Sequence, residues 1–228
     1  MQVHIFSGGA AQSLISALAQ QFKAATGGEI AGTFGAVGAM RDKLLAGEPA
    51  DLLILTRVLI DALESQGHVV AGSAVDIGTV HTAVAIRSGD PAPVVSDGDA
   101  LRAAVLAADS IYFPDPKLAT AGIHFAKVLE RLGVKDDGRF KTFPNGATAM
   151  AALAAATTPK PIGCTQVTEI LNTSGVQLVA PLPAGYELAT VYTAAIASKA
   201  QAPNLARKLA ELLSGDAAKP ARATAGFA

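Results

Sequence analysis

Four short stretches of the chain join an apolar run to an amphipathic one through small side chains: FSGGAAQ (6–12), FGAVGAM (34–40), LATAGIH (118–124) and FPNGATAM (143–150). A helix that starts at such a turn presents free backbone amides at the positive end of its dipole, and small residues let a ligand come close to them. In FGAVGAM no Ser, Thr, Asp or Asn stands where a capping side chain is normally found. Free amides of this kind make an anion site. Glycine making a turn explains any one of the stretches. Four together point to a binding site for a small anion, drawing on Ser7, Gly8, Gly9, Ala10, Ala36, Val37, Gly38 and Gly146.

Other chemistries find little support. The chain has no dinucleotide-binding GxGxxG, no phosphate-binding lysine loop and no GxSxG elbow. His4, His68, His81 and His124 are scattered and Cys164 is the lone cysteine, so neither a metal site, a disulfide framework nor a cofactor is expected. A net charge of -1 with no Lys/Arg run argues against nucleic acid and anionic membranes as partners. Half the residues are hydrophobic and 16% are charged, which fits a packed globular chain with a substantial core. Met1 leads directly into QVHIFSGG, with no basic region, apolar core or small-residue cleavage site of an export signal. The expected location is therefore cytoplasmic as written, and periplasmic if a signal peptide has been trimmed away.

The elements that would position these turns alternate strand and helix. Val3–Phe6, the weaker 29–34, ADLLILT (50–56), SIYFP (110–114), RFKTF (139–143), PIGCT (161–165) and VQLVAPL (176–182) read as strands. Helices are expected over 12–25, 39–45, 57–69, 122–133, 147–156 and 167–171, with a loop over 88–99. Such alternation implies parallel βαβ units and an α/β class. TVHTAVAI (79–86) echoes TVYTAAIA (190–197), and each could carry the chain from one lobe to another. The expected organisation is lobe one over 1–80 plus 195–228, lobe two over 85–185, and two hinge crossings, each lobe a mostly parallel sheet flanked by helices.

The stretch from VHIFSGG through GEPADLLILT, together with DPKLATAGIHFAKVLERLGV and NGATAMAAL, resembles the molybdate-binding proteins of the periplasmic solute-receptor superfamily, type 2. The resemblance covers nearly the whole chain and implies two lobes that close on a ligand in an interlobe cleft. It also exposes departures. Where those receptors carry hydroxyl residues, this chain has Gly9 and Ala10, Val37, and Gln166 in place of a tyrosine. A buried tetrahedral dianion without such donors would be poorly satisfied, so molybdate is not the expected ligand. Arg57 offers a planar guanidinium at a strand end, and Thr120, Asn145, Thr165 and Gln166 offer neutral donors, a set suited to an organic carboxylate. Arg41 reads as a solvated helix-face residue.

One branch of the superfamily resembles aconitate isomerases, which shift a proton and a double bond within a tricarboxylate. That chemistry needs a base near an acidic carbon and donors for the developing charge. His124 and Glu169 are the candidate bases; His81 is a third, and Cys164 a fourth if a helix terminus lowers its pKa. Two functions stand open: a monomeric receptor for a small anion, serving an ABC transporter permease if exported, and an isomerase. A cytoplasmic sensing domain is a third class, weakened because no DNA-binding helix-turn-helix flanks the lobes.

Overall fold

A computed structural model describes residues 1–228. Strand β1 (Gln2–Gly8) buries Val3 and Ile5 while Gln2 and His4 face out, and from Phe6 onward it is buried throughout. Helix α1 (Gln12–Thr26) buries Leu14, Ile15, Leu18 and Phe22 at helical spacing. It stops where Gly27 turns left-handed at φ 68°, a conformation that costs glycine little. Strand β2 (Glu29–Gly35) then runs parallel to β1 from Gln2↔Glu29 to Gly8↔Gly35. Helix α2 (Val37–Leu45) follows it directly.

The LLILT run becomes β3 (Leu52–Thr56), buried at every position, parallel to β1 on the side away from β2. Helix α3 (Arg57–Ser65) follows, with the Thr56 hydroxyl accepting from the Leu59 amide. Strand β9 (Ala189–Ile196) pairs antiparallel with β3, giving the order β2-β1-β3-β9. Asp51 joins the two ends of the unit. Its carboxylate accepts from the amides of His4 (2.7 Å), Gln201 (2.7 Å) and Ala202 (2.8 Å), and so fixes the start of α8 (Pro203–Ser214). A last helix, α9 (Lys219–Ala225), completes the set.

The chain packs into two units, Met1–Val80 with Thr190–Ala228, and His81–Ala189. It passes from the first to the second within β4 (Val75–Arg87) and returns at the start of β9. In the second unit β5 (Ser110–Pro114) lies between two parallel neighbours, β6 (Phe140–Phe143) and β7 (Pro161–Gln166). β4 pairs antiparallel with β7 and, along its other edge, with β8 (Val176–Pro181). Phe113 packs edge-on against Phe125 and Phe140, with centroids 5.6 and 5.7 Å away.

The α/β class is as expected, but the second sheet is only half parallel. β4 alone runs against the other strands and is antiparallel to both its neighbours, β7 and β8, because it is a strand arriving from the first unit and not the product of a βαβ crossover. The expected loop over 88–99 also ends early. Asp97 caps a helix, α4 (Gly98–Ala107), by accepting from the Ala100 amide at 2.8 Å, and Leu101 and Val105 are buried beneath it. The remaining helices of the second unit are α5 (Thr120–Arg131), α6 (Gly146–Ala154) and α7 (Val167–Leu171). No helix is long and apolar enough to cross a membrane.

Candidate functional site

In the first unit, three parallel strands end side by side, so the helices they feed begin side by side. The register Gly8↔Gly35 sets the turn before α1 next to the turn before α2. The two are in direct contact: a Cβ added to Gly8 would lie 2.8 Å from Val37 Cγ1 and 2.9 Å from Tyr192 Cε1. Gly8 is therefore the residue that lets the turns close up. Ser7, Gly8, Gly9, Ala10, Ala36, Val37 and Gly38 are thus brought together, all buried except Gly9, which is half-buried. The short 3-10 turn Gly9–Ala11 and α2 begin without a side-chain cap, and α1 continues directly from that turn, the Gln12 amide donating to the Gly9 carbonyl. The Ser7 hydroxyl is fully buried and donates to the Gly8 carbonyl at 2.9 Å.

Arg57 lies at the same end of this sheet, but its guanidinium is already engaged. It donates to Asp76 at 2.9 Å and sits 3.6 Å from Asp61, while Asp76 also accepts from the Thr193 hydroxyl at 2.6 Å. Asp76, Tyr192 and Thr193 were not anticipated. The available signal was polar side chains set inside strand runs that are otherwise Ala, Val and Ile. Arg41 bonds to the neighbouring Asp42 on the surface.

In the second unit, α5, α6 and α7 likewise begin where β5, β6 and β7 end. Helix α5 starts at Thr120 with no side-chain cap. Gly122 in its first turn is there because a Cβ would overlap the carbonyl oxygens of Pro114 and Asp115. Helix α6 is different, and here the expectation of free amides is corrected. Asn145 and Thr148 form a capping box, with the Asn145 side-chain oxygen accepting from the Thr148 amide at 2.9 Å. The amides of Gly146 and Ala147 are taken by the Glu169 carboxylate, which also accepts from the Gln166 amide and, at 2.6 Å, from the Thr165 hydroxyl. A Cβ on Gly146 would overlap Glu169 Oε2 and Thr165 Oγ1. Thr165, Gly146 and Gln166 do converge, but upon a carboxyl group that the protein supplies itself.

The proposed proton carriers part company in consequence. Burial pushes the Glu169 carboxyl above its usual range, against the hydrogen bonds from Thr165, Gln166, Gly146 and Ala147, which favour the charged form. With four donors arranged around it, the Glu169 carboxyl serves the structure of this turn. His124 is half-buried on α5 and donates through Nε2 to the Tyr186 carbonyl at 2.7 Å, a bond that leaves Nδ1 as the accepting nitrogen. His81 is half-buried at the start of the second unit. Cys164 is corrected outright: it is fully buried in the apolar core beside Phe113 and Phe125, which drives its thiol pKa up instead of down.

Comparison with known proteins fits these turns and strands into a family. The description of bacterial extracellular solute-binding proteins matches residues 3–228. An aconitate isomerase from a Pseudomonas species is 30% identical over 183 residues, covering 79% of this chain and 68% of that protein. Among solved structures, the periplasmic molybdate-binding protein of Azotobacter vinelandii superposes with a TM-score of 0.81 at 19% identity, covering 99% of this chain and 98% of that one. A sulfate-binding protein from Mycobacterium tuberculosis gives 0.80 at 18% identity, with 100% and 86% covered. At these identities the two structures speak for the fold alone, whereas the full-length family match shows descent: the chain belongs to the bacterial extracellular solute-binding proteins.

Proposed function

We propose that this protein binds a small organic polycarboxylate, of the size and charge of aconitate or citrate, at the uncapped amino ends of its helices. The observation that carries this reading is the contrast among the turns. The starts of α1, α2 and α5 have no side-chain cap, whereas α6, built on the same plan, is already filled by a carboxylate. Glu169 is thus an internal example of the chemistry the open turns suit. Gly9, Ala10 and Val37 bring no hydroxyl, which disfavours a tetrahedral oxyanion needing many donors. Arg57 is paired with Asp76, yet its side chain is 39% exposed and the guanidinium has donors to spare for a ligand carboxylate. As a receptor, the protein would act outside the cytoplasmic membrane and present its ligand to an ABC-transporter permease.

A second reading has its own support. A relative named aconitate isomerase matches 79% of the chain, which favours catalysis on such an acid, with His124 as the proton carrier through Nδ1 and the helix amides holding the enolate charge. Calorimetry with cis-aconitate, trans-aconitate, citrate, molybdate and sulfate tests the binding. Tricarboxylates should bind and molybdate should not; tight molybdate binding with none of the carboxylates overturns the reading. Arg57→Ala should weaken the carboxylate several-fold. Proton NMR in heavy water separates the two functions: deuterium uptake or isomer conversion, lost in His124→Gln, marks the isomerase, and binding without exchange marks the receptor.

A further inference from the structure

Helix α9 ends in a way that turns one aromatic side chain back into the first unit. Gly226 is left-handed at φ 93°; its amide donates to the Ala223 carbonyl at 3.0 Å, and the Phe227 amide donates to the Arg222 carbonyl at 2.9 Å. This pair of bonds is the Schellman ending, in which the residue after the glycine packs back onto the fold. Phe227 is accordingly buried. The next residue is fixed as well: Ala228 and Thr79 exchange main-chain hydrogen bonds of 2.8 and 2.9 Å, as paired strands do. Thr79 lies on β4 just before the chain leaves the first unit. Gly78 leaves room for this pairing, since a Cβ there would lie 3.1 Å from the Ala228 oxygen and 3.2 Å from Phe227 Cδ1.

Phe227 meets Tyr192 edge-to-face, with centroids 6.2 Å apart and planes at 80°, a favoured geometry for an aromatic pair. Tyr192 is buried in turn, and its Cε1 lies 2.9 Å from where a Gly8 Cβ would stand. The same stretch of β9 supports the other part of the candidate site. Thr193 donates to Asp76, the partner of Arg57, and Tyr192 is paired with Thr56, which caps the helix that begins at Arg57. A close-packed interior transmits displacement, because its side chains have little room to yield. A change at Phe227 therefore reaches the Gly8 turn through a single ring. We infer that Phe227 is a positioning residue for the proposed carboxylate site: it holds the Tyr192 ring against Gly8, and so sets how closely the turns before α1 and α2 approach, without touching the ligand. This inference rests on the binding reading given above.

The experiment compares Phe227→Leu, Tyr192→Leu and the double variant of the full chain, with Phe22→Leu as a control. Phe22 is also a buried aromatic of the first unit, near the far end of α1. Calorimetry with cis-aconitate reads affinity, and urea unfolding reads stability. Phe227→Leu and Phe22→Leu should both lose stability, but only Phe227→Leu should weaken cis-aconitate, by about fivefold. In the Tyr192→Leu background the change at Phe227 should add no further loss of affinity. Additive losses in the double variant, or equal weakening by Phe22→Leu, overturn the inference, because either marks Phe227 as a general support of the fold. The amide resonances of Gly8, Gly9 and Val37 give a reading without ligand. They should move in Phe227→Leu and in Gly78→Ala, which crowds the same segment without removing the aromatic pair, and stay in place in Phe22→Leu. If the wild type binds none of the carboxylates, the proposed function fails and these resonances decide alone; resonances unmoved in both variants overturn the inference.

Discussion

Glu169 shows how one side chain can satisfy the chemistry that a loop advertises. The glycine-bearing turn before α6 has the small residues of an anion site, and a carboxylate four residues beyond Thr165 occupies it. Because burial raises the folded pKa of this acid, the folded protein keeps a proton that the unfolded chain has already released over the range just above the ordinary carboxylate pKa. There the native state binds more protons, so the contribution of Glu169 to stability falls as pH rises through that range and is greatest in acid. Thermal melting of the wild type and Glu169→Gln should therefore converge or cross as pH increases from about 4 towards neutrality. A wild-type advantage that grows with pH over the same interval would contradict the burial effect.

At the level of elements, the aspartate of GEPADLLILT does its work through three amides, one at β1 and two before α8. Asp51→Ala leaves those donors without their acceptor and should lower the unfolding free energy by about 3 kcal/mol, read from the urea midpoint, with little change in far-UV signal at low urea. The βα alternation was legible in the sequence for a physical reason: strands buried on both faces, such as LLILT, are continuous apolar runs. Helix α4 was not, because Asp97 and Gly98 are as typical of turns as of helix starts, and only burial of Leu101 and Val105 separates the two. The glycine turns of the candidate site were equally plain in the sequence. Which turn stays open was not, since Glu169 reaches Gly146 across the fold and Asp76 meets Thr193 from 117 residues away.

For the whole molecule, the division of the chain is uneven in kind: His81–Ala189 is one continuous segment, while the other unit needs Met1–Val80 and Thr190–Ala228 together. A chain ended after Ala189 should protect its amides from hydrogen exchange in the second unit and leave β1, β2 and β3 unprotected; protection of β3 in that truncated chain would show that β9 and α8 are dispensable. The ribosome sets the same situation at every round of synthesis. Leu52–Thr56, the most apolar strand of its sheet, emerges well before Tyr192–Ile196, the segment that covers its open edge. During that interval the nascent chain displays a bare ladder of amides and carbonyls beside buried-type side chains, a surface that invites pairing with other chains. Slow or interrupted translation through the middle of the message should thus cost this protein yield through aggregation, with its finished fold unaltered.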